Sequence, residues 1–558
     1  MHTKHKKHLV AGAALAVLAA CGGGGGSSPT GNETALKLSG TAATGLAIAN
    51  APVEAKCASG TGTATTSADG TYTLTIEGGS LPCVLQVAPG GGEPLRSLID
   101  GSGAGEATVN ITPLTELIAA KAAGGDPAAL FDNFDAAAQA KVSTAAVQEA
   151  VQAVVVALQG VVDLTGVDPI KDTLVAATSG GGTGNALDQK LDALQAALAA
   201  AQTTLAEVTT AVATSGSTAA PVQTILQPAA SGCAGFRSGI YVAMNPAETE
   251  PEWAVHKLTL DAANLRATFH DDTSVDFTDD GNCAYSVPDD GVSTSKILVT
   301  KAGLAIGRDT YTSGAYSGKT DVSVIVPLQA IPLSELAGTW NWMEYLRDTG
   351  MTSFAASRGV MAIAADGRIT SGTDCDSAGT CQDWTPTEGD AFRVHSEGGF
   401  LVGGDDPAEP ASRAFAFKSA GGHLSMFVLL SNNRGMAVLT KQKPQTLPEV
   451  GTVTKFWDFQ LLADGFANAV LDTHLTVTAV NAETRAFTRI RQSDSRVDTQ
   501  SLDNPDIGLR SRVPNSCTVD GAPRNCAGVN VLPLPGTGLT VYHAIAPQNF
   551  FGISVIQP

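Results

Sequence analysis

The C-terminal part of this chain repeats itself, and that constrains its fold more than any other feature. Gly239-Ile240-Tyr241-Val242-Ala243-Met244, Gly338-Thr339-Trp340-Asn341-Trp342 and Gly451-Thr452-Val453-Thr454-Lys455-Phe456-Trp457-Asp458-Phe459 each open a segment. Ser323-Val324-Ile325-Val326, Met436-Ala437-Val438-Leu439 and Ile553-Ser554-Val555-Ile556 each close one, with a Gln shortly after. Such self-similarity marks a repeated structural unit rather than one large core. It divides the region into β units at 233–335, 336–449 and 450–558. Each has room for roughly seven or eight short strands. Two architectures fit: three small barrels, or a six-bladed propeller with two blades per unit.

The region before the repeats reads differently. Residues 35–111 form a small β-sandwich on the alternation of Leu36-Lys37-Leu38-Ser39-Gly40 and of Thr71-Tyr72-Thr73-Leu74-Thr75-Ile76. Val84-Leu85-Gln86-Val87 adds a strand. Residues 112–213 change to helical periodicity. Thr112-Pro113, Asp126-Pro127 and Asp168-Pro169 each place a cap residue before a proline suited to the first helical turn. Leu187, Leu191, Leu194, Leu198, Ala201, Leu205, Val208 and Val212 make a heptad seam, and Val147, Val151, Val154 and Leu158 share its spacing. The two seams predict a helical hairpin or bundle. Residues 214–232, rich in Ser, Thr, Ala and Pro, read as a linker. The fold class is therefore multidomain and mainly β: sandwich, helices, then three β units.

The N-terminus carries an address. Lys4, Lys6 and Lys7 precede an apolar run from Leu9 to Ala20, too short for a permanent span, so residues 1–20 read as an export signal. Leu18-Ala19-Ala20-Cys21 resembles the lipobox of bacterial lipoproteins of uncharacterised type. That resemblance implies an acylated Cys21 as the first mature residue. With Gly22 rather than Asp following, it implies an outer-membrane anchor, on either face. Residues 21–34 then form the lipidated cysteine and a Gly/Ser tether. No later apolar run reads as a span, so the membrane is met through the lipid.

The formal net charge of −20 disfavours nucleic acid, whose phosphates an acidic surface repels. Beyond Cys21 an even set of cysteines remains: Cys57, Cys83, Cys233, Cys283, Cys375, Cys381, Cys517 and Cys526. In an exported chain that points to disulfides. Two fall in each β module, which makes neighbour pairing the economical connectivity; sequence alone does not decide it. No Cys or His spacing suits zinc.

Two further stretches carry resemblances. Ser67-Ala68-Asp69-Gly70-Thr71-Tyr72-Thr73-Leu74 resembles the hairpin of carboxypeptidase regulatory-like domains, which implies an immunoglobulin-like spacer. Leu336-Ala337-Gly338-Thr339-Trp340 with Met361-Ala362-Ile363-Ala364-Ala365-Asp366-Gly367-Arg368-Ile369 resembles small lipocalin-like barrels, in which a Gly-x-Trp strand plugs one end. The first unit carries Tyr241 at that position.

Candidate chemistry is sparse. There is no Gly-x-Ser-x-Gly elbow and no His-Glu-x-x-His helix, so no catalytic residues are assigned. Trp340 and Trp342 share a strand face, as do Trp457 and Phe459; recurrence in equivalent places reads as core. Trp253 and Trp384 lie in polar loops and are the candidate ligand contacts. Calcium is weighed at His270-Asp271-Asp272 with Asp276, Asp279 and Asp280, and at Asp374 and Asp376. Solvated loop acids are the commoner case, so no cofactor or metal is assigned. The expected function is a monomeric envelope protein that binds or scaffolds without catalysis. Its partner would be a small apolar ligand, a glycan or an envelope protein. A surface-anchored hydrolase of polysaccharide or lipid, and a structural part of an envelope assembly, are the alternatives.

Overall fold

The computed structural model describes residues 35–558 apart from 91, 249–250, 348–350, 388, 404–410 and 432–433. Cys21, the export signal and the tether lie outside the described residues.

Each repeat forms one continuous antiparallel sheet. In the first unit, Gly239–Met244 pairs both with the next strand, Val255–Asp261, and with the last, Thr320–Pro327. The sheet curls until its end strands, Ser274–Asp276 and Thr278–Gly281, are consecutive in sequence. Between those two strands, the Phe277 N–H donates to the Leu265 carbonyl at 2.7 Å and extends the ladder of Arg266–Phe269 with Ser274–Asp276 by one rung. The second unit repeats this about Gly338–Leu346, which pairs with Ala355–Ile363 and Gly435–Lys441. Its seam is drawn together where Arg368 bridges Ala391. In the third unit, Ala486–Arg491 pairs with Arg496–Leu502 and closes a full ring. The hairpin Cys517–Val519/Ala522–Arg524 hangs from that ring. These are up-and-down barrels; among the described residues of the three units no separate four-stranded propeller blade is formed.

Alternation along the strands explains how the barrels assemble. On Gly239–Met244, Tyr241 and Ala243 fill the first barrel while Val242 and Met244 point out. On Leu424–Leu430, Met426 and Val428 fill the second while Phe427 and Leu429 point out. The outward side chains meet Trp457, Phe459 and Phe551 of the third barrel in one shared core. Strands buried on both faces are what this packing requires, and it accounts for the unbroken apolar runs that close each repeat. Polar links at the rim join the same surfaces, including Arg358–Asp506 at 2.6 Å and Lys319–Asp464 at 2.9 Å.

The first strand of each of the first two barrels is tied at its base in the same way. The Trp340 indole N–H donates to the Leu336 carbonyl at 2.7 Å, and the Tyr241 hydroxyl donates to the Arg237 carbonyl at 3.0 Å, four residues upstream in both cases. Tyr241 thus does in the first barrel what Trp340 does in the second. The third barrel departs from this. Its ladder pairs Phe456, not Trp457, with the residue before the closing Gln, as it pairs Trp340 in the second. Phe456 and Asp458 therefore take the inward places of Trp340 and Trp342. A one-residue offset in a strand exchanges its faces. Trp457 and Phe459 are core, but core between barrels.

The N-terminal part packs as one body. A three-stranded and a four-stranded sheet share a hydrophobic core with the helices that follow. Pro113–Ala123 is buried on nearly all sides and is the centre of a bundle, against Thr144–Ala157 and Leu205–Thr214. The heptad seam does not run through one helix. It breaks between Ala186–Ala200 and Leu205–Thr214, where Gln202 has φ +48° and Thr204 caps the second helix in a box with Glu207. Of the two helical arrangements expected, the bundle is formed. Residues 214–232 differ from a free linker. They include the helix Ala220–Ile225, with Val222 fully buried, and Ser217 donates to Glu335 at 2.7 Å. The buried Lys418 ammonium donates to the Ser215 carbonyl at 2.8 Å and to Glu335 at 3.1 Å, clamping this segment to the second barrel.

Disulfides join Cys57–Cys83, Cys233–Cys283, Cys375–Cys381 and Cys517–Cys526, each within one β module.

Candidate functional site

The first barrel encloses a cavity of about 620 Å³, within the size range of small-molecule sites. Its wall is apolar: Tyr241, Leu258, Phe277, Ile297 and Ile325 face inward. The strand Cys233–Arg237 plugs the base. Its Phe236 ring packs 4.5 Å from Tyr285 and 5.5 Å from Phe277, and Cys233–Cys283 bolts the plug to the wall.

The opposite end is acidic. Asp309 and Asp321 are direct cross-strand partners, an arrangement that sets two like charges against each other. Asp321 accepts from the Tyr311 hydroxyl at 3.0 Å and from Asn245 Nδ2 at 3.2 Å, while its other oxygen is buried without a protein partner. Ser295 donates to Asp309. Burial, then the neighbouring Asp309, pushes the Asp321 carboxyl up to about 6; burial also raises Asp309. Asp290 and Glu248 line the same end. Trp253 closes over it from the short turn Pro251–Ala254, its ring 5.1 Å from His256 and 4.9 Å from His270. The arrangement is an apolar tube with an anionic mouth under an aromatic flap.

The second barrel holds a cavity of about 680 Å³ lined by Trp342, Met361, Trp384 and Phe392. Trp384 lies over Gly372 and Trp342 over Gly359, so tightly that a Cβ at either glycine would enter the ring. Glycine is required there because an indole is laid flat against the backbone. Trp253, on the short helix Pro251–Ala254, and Trp384, which ends the strand Cys381–Trp384 rather than lying in the loop expected for it, thus each line a barrel interior.

The acidic candidates behave otherwise. Asp276 pairs with Arg266 at 3.2 Å, Asp280 with Lys296 at 3.6 Å, and Asp271 and Asp279 accept from nearby backbone N–H groups. Asp376 accepts from the Thr380 N–H and closes the turn between Cys375 and Cys381. Among the described residues no three His, Cys, Asp or Glu side chains converge as a metal set.

Sequence reasoning missed the Asp309–Asp321 pair. The available signal was parity: Asp321, Ser323 and Ile325 alternate with Val322, Val324 and Val326 on a strand where the valines belong to the shared core.

No known protein family matches the chain, and no curated protein matches it. Among solved structures it is similar to a protein of unknown function of the DUF3598 family from Nostoc punctiforme. That match has 8% identity and a TM-score of 0.16, over 41% of this chain and 99% of that one. It is also similar to transferrin binding protein B from Neisseria meningitidis, with 8% identity and a TM-score of 0.17. A mutant of transferrin binding protein B from Haemophilus parasuis matches with 8% identity and a TM-score of 0.16. The latter two matches cover 54% of this chain and 65% of theirs, less than two thirds of their length. At such scores these similarities carry no argument about what the chain does. Among the described residues no helix is long and apolar enough to cross a membrane.

Proposed function

We propose that this chain is a cell-envelope lipoprotein that works by binding, with the first barrel taking a small apolar ligand that carries a basic group. The observation that supports this is the pairing of an apolar tube with two opposed carboxylates at its mouth. An alkyl or ring body would displace water from the tube, and an ammonium would separate the two like charges. The N-terminal two-sheet module, read as a carboxypeptidase regulatory-like spacer, and the helical bundle would hold the barrels off the membrane.

The pH dependence has a definite sign. A raised carboxyl is protonated below its pKa, and an ammonium binds the ionised form. With Asp321 near 6, affinity for decylamine is expected to rise about tenfold between roughly pH 5 and pH 7. Trp253 fluorescence in the purified chain is the readout, with Trp253→Phe as the reference. Asp321→Asn should flatten the pH profile. Decanoate binding as tightly as decylamine would overturn the assignment of a basic ligand.

Anchoring through Cys21 is tested separately. Labelled palmitate supplied to expressing cells should enter the chain and be absent from Cys21→Ala. Equal labelling of both would show that the lipid, if any, is elsewhere.

A further inference from the structure

The third barrel differs from the others in what fills it. Arg489 and Arg491 on Ala486–Arg491, Arg496, Asp498 and Gln500 on Arg496–Leu502, and Arg510 and Arg512 on Arg510–Arg512 occupy alternate positions and face inward. They surround a cavity of about 460 Å³. Five guanidiniums there face three carboxylates, Asp458, Asp494 and Asp498. That is a surplus of positive charge inside a chain whose formal net charge is −20.

The internal pairing leaves a defined remainder. Asp498 is engaged by Arg489, Arg496 and Arg512 at 2.8, 3.1 and 3.0 Å. Asp494 accepts from Arg491 at both oxygens, 2.9 and 2.5 Å. Asp458 accepts from the Tyr542 hydroxyl at 3.0 Å and from Ser554 Oγ at 2.6 Å. Arg510 is outside these pairs. Its Nε is buried without a protein partner, and its guanidinium lies 6.0 Å from the centre of the Phe487 ring. Burial, then the neighbouring Arg489, lowers its pKa to about 9, the mark of a cation short of counter-charge. Gln500 is 0% exposed, and neither its Oε1 nor its Nε2 has a protein partner. Leu502 is paired directly with Arg510, so Gln500, two residues earlier, is the diagonal neighbour of Arg510 on the same face.

Buried donors left unmade are costly, and each one in a native interior calls for a partner that the protein itself does not supply. A guanidinium fork beside a carboxamide is a donor set for phosphate or carboxylate oxygens. We propose that the third barrel binds a compact dianion whose phosphate or carboxylate oxygens sit on Arg510 and Gln500 within the ring of arginines. Asp498 and Asp494 hold the surrounding guanidiniums apart and pre-order the ring. The hairpin closed by Cys517–Cys526 stands at the mouth, where the exposed Arg524 adds attraction for an incoming anion. This site is separate from the first barrel, whose mouth carries the opposite charge.

Calorimetric titration of the purified chain with inorganic phosphate and with succinate, against acetate and chloride at matched ionic strength, tests the proposal. At least one dianion should bind saturably and at least about tenfold more tightly than acetate. Arg510→Met should weaken binding at least about tenfold. So should Gln500→Glu, which places a carboxylate beside Arg510 in the ligand's stead and reduces the barrel's positive surplus. Binding of phosphate alone assigns a phosphoryl ligand, and of succinate alone a dicarboxylate. Absence of saturable binding up to roughly 10 mM, or binding that survives whichever of the two variants folds, overturns the proposal.

Discussion

Asp498→Asn is expected to destabilise the third barrel by about 3–5 kcal/mol, the range seen when one member of a buried charged set is removed. Asp498 is 0% exposed on its side chain and is the common partner of Arg489, Arg496 and Arg512. Burial works to raise its pKa, but the three guanidiniums overcome that and hold the carboxyl well below the usual range. Neutralising it leaves all three cations facing one another in a confined space. Urea unfolding followed at Trp457, which packs on the outer face of this barrel, reads the effect as a lowered midpoint. The pH dependence follows from the same shift. A depressed carboxyl contributes stability above its unfolded pKa of about 3.9, and that stability is lost as pH falls towards the native value. The Asn variant should lack this acid-dependent loss. A midpoint shift equivalent to less than about 1 kcal/mol would mean that water, not Asp498, balances the arginines.

Trp340→Ala should cost the second barrel a similar amount, about 3–5 kcal/mol, by a different mechanism. Trp340 is fully buried, donates to the Leu336 carbonyl, and packs with Leu336, Phe392 and Leu439 at the barrel base. Removing it deletes transfer energy, leaves a cavity and orphans that carbonyl together. Trp340→Phe restores most of the volume but not the donor, so it should recover the larger part of the loss. Trp457→Ala provides the contrast. It would loosen the contact between barrels and leave the interior of the third intact, so Trp342 and Trp384 emission should respond to Trp340→Ala alone. Loss of both signals in both variants would show that the barrels unfold as one cooperative unit.

How far the sequence could be read depended on whether a feature was local. The opening and closing strands of each repeat were legible because period-two patterning and flanking glycines are written in consecutive residues. The Gly338-Thr339-Trp340 strand, for which the lipocalin-like resemblance implied a plug, is instead a wall strand paired on both sides, with Trp340 tied to the Leu336 carbonyl at the base. The offset at Phe456-Trp457-Asp458 was not legible. Which of two neighbouring residues faces inward is decided by ladder partners about a hundred residues away. The heptad seam from Leu187 to Val212 was correct in its apolar spacing and wrong in its continuity. Its break at Gln202 and Thr204 is a capping event that the seam spacing does not show. The segment 214–232 has a linker's composition, yet Lys418 and Glu335, distant in sequence, hold it in place.

The candidate sites divide along the same line. The sequence by itself determined the β-repeat character, the helical insertion and the pairing-ready cysteines, because each rests on local periodicity or a count. Only the tertiary structure decided that Asp309 meets Asp321, that Trp253 and Trp384 turn into barrels, and that arginines from three strands converge on one interior. A barrel makes neighbours of every second residue on strands separated by long loops. Its inner charge is therefore a property of closure and register, and those are set by pairing across the whole sheet rather than by any one segment.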